Sequence, residues 1–290
     1  AKSRLAERVA KRAMGIDRRR ALPKVAPKGD RRYMRPATFG DGQGRRKVAL
    51  FVDTYAASFH PGTTATQALS LLLACGFEVE LIRPGCCQRP AMSKGLLHRA
   101  KRHGEKTMRR LLPSAEAGVP ILFLEPSCAS AIADDLPDLI DDVELGRTVA
   151  KQCFLLEDFL ADEQNAGRLD GRFVAYPHTQ KMLVHGHCHQ KALFARSGLR
   201  RILSSIEGIE FSEVDSGCCG MAGSFGYEHH ALSMRIGEQR LFPAVREAEQ
   251  RGAVVCATGF SCRHQIRDGC GVEAKHWVEL IGFEPTRQSD

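Results

Sequence analysis

The stretch Asp215-Ser216-Gly217-Cys218-Cys219-Gly220-Met221-Ala222-Gly223-Ser224-Phe225-Gly226 decides how the rest of the chain is read. Two adjacent cysteines stand in a loop built almost wholly of small residues. Neighbours on a strand point to opposite faces, so vicinal thiols converge on one site only if the backbone turns sharply. Gly217, Gly220 and Gly223 are expected to permit that turn, because glycine takes positive φ without steric cost. Two more cysteines have comparable settings: Cys188 in His185-Gly186-His187-Cys188-His189-Gln190, and Cys262 in Thr258-Gly259-Phe260-Ser261-Cys262.

Each of these loops follows a strand-like run. Residues 181–184, 208–214 and 253–257 read as strands, with helices over 191–203, over 229–251 and from 259 onward. The first half has the same order. Strands are expected at 47–52, 78–82 and 120–124. Helices are expected at 63–75, 96–117 (basic and amphipathic), 131–139 and 145–160. Lys181 and Lys47, Cys219 and Cys87, and Cys262 and Cys128 are related by nearly one offset, and at that offset Thr54 takes the place of Cys188. A repeat of this kind outranks local signals. Strands alternating with helices imply βαβ units and parallel sheets. The fold class is therefore α/β: two tandem cysteine-rich βαβ repeats, related by a pseudo-twofold axis, with their cysteine loops at the carboxyl ends of the strands, where open α/β sheets place ligands. The divisions are a basic arm over 1–46, a first repeat over 47–166, a linker over 167–179 and a second repeat over 181–283.

At 290 residues and 43% hydrophobic content the chain is long enough for a sizeable core. It has no run of 18 uncharged apolar residues and no secretory h-region. This points to a reducing compartment, where clustered cysteines bind metal or catalyse rather than form a disulfide frame; eleven is also an odd count. The net charge of +8 belongs to the N-terminus. Residues 1–46 carry 15 Lys or Arg against 4 Asp or Glu, so the remainder is net acidic. Such an arm touches nucleic acid or an anionic membrane surface in some proteins. With only Tyr33 and Phe39 as aromatic residues, it lacks the stacking platform of a single-strand binder, and it reads as a solvated or interdomain linker that opens with a short helical pattern at 5–14.

Cys188, Cys218, Cys219 and Cys262 are the candidate ligand set, with Cys256 standing as a fifth candidate or as buried structure. Thiolates hold iron–sulfur clusters and zinc. Zinc is an open alternative because His185, His187 and His189 are close by, but adjacent cysteines are unusual in its knuckles. A dithiol redox site would be expected to show C-x-x-C, which is absent. Four thiolates from three loops suit a multi-iron core best, with the histidines tuning it from outside. Arg263, just after the last cysteine, is placed to balance its charge. In the first repeat Cys86, Cys87 and Cys128 remain, while Gln88 replaces the glycine after the pair. Cys75, Cys153 and Cys270 read as structural.

These motifs resemble the cysteine-rich CCG domain family, whose pattern is a cysteine after the first strand, a Cys-Cys-Gly loop and a closing cysteine, present twice. The resemblance covers about residues 47–283. It is carried by Glu125-Pro126-Ser127-Cys128, the Cys188 loop through Lys191 and Ala192, residues 216–226, and Gly259-Phe260-Ser261-Cys262-Arg263. The same four stretches also look like the C-terminal iron–sulfur region of fused FAD-linked oxidases of D-lactate or D-2-hydroxyglutarate. It is similar, too, to the iron–sulfur subunit of glycolate oxidase and to the CCG-containing subunit of heterodisulfide reductase. The resemblance implies a [4Fe-4S] cluster, an FAD domain or subunit elsewhere, a ferredoxin-type iron–sulfur partner and a quinone or other acceptor. It implies a cytoplasmic place, peripheral on the inner face of a membrane. This chain shows no G-x-G-x-x-G after a strand and no C-x₂-C-x₂-C-x₃-C-P run. A cluster-based disulfide reductase and a zinc-stabilised scaffold are the alternatives.

Overall fold

The structure is a computed structural model; it describes residues 11–23, 25–27, 36–40, 42, 44–59, 62–83, 85–194 and 197–286. The expected helix at 5–14 lies largely outside them. Strands β1 (Ala37–Phe39), β2 (Lys47–Phe51), β3 (Glu78–Ile82), β4 (Ile121–Phe123) and β5 (Cys153–Leu155) form one sheet in the order β1-β3-β2-β4-β5. All its pairings are parallel except that of β1 with β3. After β6 (Gly171–Ala175), strands β7 (Lys181–His185), β8 (Glu210–Glu213) and β9 (Val254–Ala257) form a second, fully parallel sheet in the order β8-β7-β9. The order β3-β2-β4 of the first half thus recurs in the second, and the α/β class is as expected.

β2, β4, β7 and β9 read as near-continuous apolar runs because both of their faces are buried, whereas β3 alternates and β8 lies largely exposed at the sheet edge. Val48 and Leu50 of β2 and Met182 and Val184 of β7 enter one shared core with Trp277 and Phe283. Ala49 and Phe51 face a second core under the helix Leu97–Glu116, and Leu183, Val255 and Ala257 a third. The two halves are joined through the first of these cores.

Four expectations need correction. The supposed linker at 167–179 contains β6, which pairs antiparallel with β10 (Ile281–Pro285); the flanking turn residues hid a strand whose partner is more than a hundred residues away. The helix expected over 145–160 is broken by β5, where Cys153 and Leu155 are buried beside β4. The helix over 229–251 is split at Arg240 into His230–Gln239 and Leu241–Gln250; Pro243 cannot donate to the carbonyl four residues back and collides with it. The described part of the arm is not simply solvated. Arg20 is fully buried against the second half: its guanidinium donates to Gly226 O at 2.7 Å, Ser233 Oγ at 2.6 Å and Asp268 Oδ2 at 3.0 Å. The Ala26 amide donates to Ser58 O of the first half.

Candidate metal centre

The cysteine loops lie at the carboxyl ends of the parallel strands. After β8 the chain reverses at Gly220 (φ +95) and Gly223 (φ +63), with Ala222 also at positive φ. A Cβ on Gly220 would meet Ser233 O at 2.3 Å, so this glycine serves both conformation and close approach. Gly217 is not needed for the turn: its φ is not positive and a side chain there would meet nothing. In the first half Gln88 holds the matching left-handed conformation (φ +64) without being glycine, and its side chain donates to Cys86 O at 3.0 Å.

The turn brings four sulfurs into one chain of contacts. Cys188 stands beside Cys218, Cys218 beside Cys219, and Cys219 beside Cys262, each close enough to shift its neighbour's ionisation. The charges sort accordingly. Cys218 is held far below an ordinary thiol pKa by the Cys188 and Cys219 contacts, helped by the Gly220 amide at 3.3 Å. Cys262 is also lowered, first by Cys219 and then by the nearby His185 and His187. Cys188 and Cys219 are raised by the thiolates they face and by burial. Cys188, Cys218, Cys219 and Cys262 would hold a metal centre as thiolates, since coordination would deprotonate each thiol. The sulfurs touch one another rather than surround a point: among the described residues no three His, Cys, Asp or Glu side chains are placed to hold a single metal ion.

The three histidines have separate duties. His185 is fully buried, with Nδ1 on Ser216 Oγ at 3.0 Å; Nε2 is buried without a hydrogen-bond partner, although the ring stands beside Cys262 and helps hold that thiol down. A buried Nε2 beside Cys262 with no other partner is placed to donate to that sulfur as a thiolate, or to an anionic group held against it. His187 caps the helix Cys188–Leu193 by accepting the His189 amide at 3.1 Å. Its ring packs so close to Gly259 that a Cβ there would lie 2.2 Å from Cδ2. His189 reaches across to Ser130 Oγ at 2.6 Å; burial, and then Arg89, lower its pKa to about 4.

In the first half, Cys86 bonds the Thr54 hydroxyl and Cys87, and the Cys128 and Cys87 sulfurs are 3.1 Å apart. Thr54 therefore touches Cys86 much as Cys188 touches Cys218. Cys256 is fully buried but points into the shared core, on the opposite face of β9 from Val255 and Ala257, and does not join the sulfur chain. Arg263 spends its guanidinium on the carbonyls of Ala257 and Thr258 at 2.9 and 3.0 Å, so its hydrogen bonds brace β9.

Sequence reasoning gave Glu125 no role, yet it ties the two halves together. Its side chain caps the Cys128 helix and accepts Ser127 Oγ at 2.6 Å, while Oε2 accepts the Phe260 amide of the Cys262 helix at 2.8 Å. The acidic residue just before Pro-Ser-Cys was the available signal. Tyr55 and Tyr227 bond opposite nitrogens of buried His264 at 2.6 and 3.0 Å, a pairing that no spacing announces.

Residues 182–267 match the CCG family of cysteine-rich domains. The chain is similar to a subunit of the anaerobic glycerol-3-phosphate dehydrogenase of Escherichia coli K12, 25% identical over 93% of this chain and 67% of the relative. It is similar to D-2-hydroxyglutarate dehydrogenase of the same organism, 25% identical over 83% of this chain but only 23% of that protein. Lactate utilization protein A of Bacillus subtilis is 26% identical over 81% of this chain and 98% of its own length.

Proposed function

We propose that this chain is the electron-transfer part of a flavin-linked dehydrogenase of D-2-hydroxy acids, with Cys188, Cys218, Cys219 and Cys262 holding an iron–sulfur cluster, most simply [4Fe-4S]. The observation that carries it is the convergence of these four cysteines at the carboxyl ends of β7, β8 and β9, where Cys218 and Cys262 are the thiols pushed toward the thiolate form. Relatives named for lactate utilization and for dehydrogenases of D-2-hydroxyglutarate and glycerol 3-phosphate support a hydroxyl-oxidising system. A bound cluster supplies one-electron steps between a flavin on another domain or subunit, a ferredoxin-type partner, and a quinone or other acceptor.

The chain's own residues prepare the place. The Gly220 and Met221 amides point at the Cys218 and Cys219 sulfurs at 3.3 and 3.5 Å; such contacts stabilise thiolate charge and tune reduction potential. Glu125 and the His189–Ser130 bond fix the distance between the two cysteine groups. Cys86, Cys87 and Cys128, with Thr54 in the fourth place, are a second and poorer donor set. Among the described residues no helix is long and apolar enough to cross a membrane, and a peripheral cytoplasmic position is part of the proposal. The test is anaerobic purification of the full chain followed by iron, zinc and acid-labile sulfide analysis with EPR of the reduced protein. Iron and sulfide in similar amounts support the reading. Stoichiometric zinc without sulfide would sink it in favour of the scaffold.

A further inference from the structure

Glu157 opens the helix Leu156–Asn165 and is only 1% exposed. Its Oε1 accepts Gln190 Nε2 at 2.6 Å and its Oε2 accepts the Trp277 indole N–H at 3.2 Å. Gln190 Oε1 in turn accepts the Thr258 hydroxyl at 3.0 Å, and Thr258 Oγ1 accepts the His187 amide at 3.2 Å. A continuous line of hydrogen bonds therefore runs from a buried carboxyl to the backbone of the Cys188 loop. The surrounding ionisable groups are Asp158 on the same helix, Cys256 on β9, which feels Glu157, Glu279 and Arg263, and Glu279 and His276 at the turn carrying Trp277, the latter also facing Arg263. Burial first, and then Asp158, raise the Glu157 pKa to about 8, against the pull of its own amide, Trp277 and Gln190.

We propose that Glu157 is a redox-linked proton site, which, in molecules where it stands ionised, takes up one proton from solvent when the Cys188–Cys218–Cys219–Cys262 centre gains one electron and returns it when the centre is reoxidised. The proposal rests on the electron-transfer reading, whose electron donor is a reduced flavin. Its physical basis is simple: an added negative charge in a poorly screened interior disfavours a second one nearby. The only covalent change is one carboxyl O–H bond made per electron accepted where Glu157 starts as the carboxylate; where it starts protonated, the electron arrives alone. Gln190 and Thr258 act as positioning residues that hold the carboxyl in register with the loop.

Trp277 is the chain's single tryptophan and donates directly to the carboxylate, so its fluorescence reports the site without any metal. In the full chain a fluorescence transition is expected near pH 8. It should vanish in Glu157→Gln and move to higher pH in Gln190→Met, which removes a donor that stabilises the anion. A transition that survives Glu157→Gln, or a midpoint indifferent to Gln190→Met, overturns the site. In iron-loaded protein the midpoint potential should be flat below pH 8 and fall above it by up to about 59 mV per pH unit, the one-electron equivalent of a tenfold change. Glu157→Gln should flatten that slope, and equal slopes in both proteins overturn the coupling. Protein that binds no iron sinks the redox half together with the reading it rests on, while the fluorescence titration still decides whether Glu157 titrates.

Discussion

Replacing Arg20 with alanine tests whether the N-terminal segment is part of the fold. The guanidinium is fully buried and donates to three acceptors: Gly226 O, Ser233 Oγ and Asp268 Oδ2. Ser233 is also fully buried, and the Asp268 side chain is 14% exposed. Truncation leaves a cavity, the Gly226 carbonyl without its donor, a Ser233 hydroxyl reduced to its Gln265 partner at 3.1 Å, and a carboxylate without its cation. Each hydrogen bond to a charged group contributes roughly 1.5–3 kcal/mol. Simple addition overshoots, because water entering the cavity solvates Asp268 in part. Breaking a buried ion pair typically costs about 3–5 kcal/mol, and that is the expected loss. The assay is urea unfolding of the full chain, with amide exchange followed across residues 221–226. Arg20→Ala should lower the midpoint at an unchanged slope and speed exchange in that loop. Arg20→Lys should recover only part of the loss, since an ammonium cannot reach three acceptors in a planar fork. A loss under about 1 kcal/mol with normal exchange would refute the reasoning and return the segment to the status of a linker.

Changing Cys188, Cys219 or Cys262 singly to Ser should strip iron from purified protein, while Cys256→Ala should leave iron content unchanged at a stability cost of about 1 kcal/mol; loss of iron in Cys256→Ala would restore it as a ligand. Gly220→Ala should destabilise by about 1–3 kcal/mol or more, because φ is +95 and the new methyl group meets Ser233 O at 2.3 Å; thermal unfolding measures it, and a neutral effect would mean a different turn. Buried His276 has its pKa lowered to about 3 by burial and then by Arg263. The unfolded chain therefore binds the extra proton between about pH 6.5 and 3. The stabilisation from neutral His276 is full above pH 6.5 and is lost as pH falls toward 3, by up to about 1.4 kcal/mol per pH unit. His276→Asn keeps a capping side chain without titrating, so its urea midpoint should fall less steeply from pH 7.5 to 5 than that of the wild type.

The sequence by itself determined the α/β class, the strand runs before each cysteine loop and the four cysteines that meet. These are local properties: strands buried on both faces are apolar throughout, and glycines mark turns whatever the rest of the chain does. The offset between the halves also set Thr54 in the slot of Cys188, and the structure sets it beside Cys86. Tertiary structure decided whatever depends on a partner distant in the chain. β6 exists because β10 pairs with it, and neither is stable as a lone strand. Cys256 turns away from the other thiols because alternation along β9 assigns it to the opposite face, and the direction of that face is set only when the sheet packs. Arg20 looked like one more cation in a basic run; its burial depends on three acceptors supplied by residues more than two hundred positions later. The division of charge among the four sulfurs likewise has no counterpart in spacing, since it arises from contacts that exist only once the loops have converged.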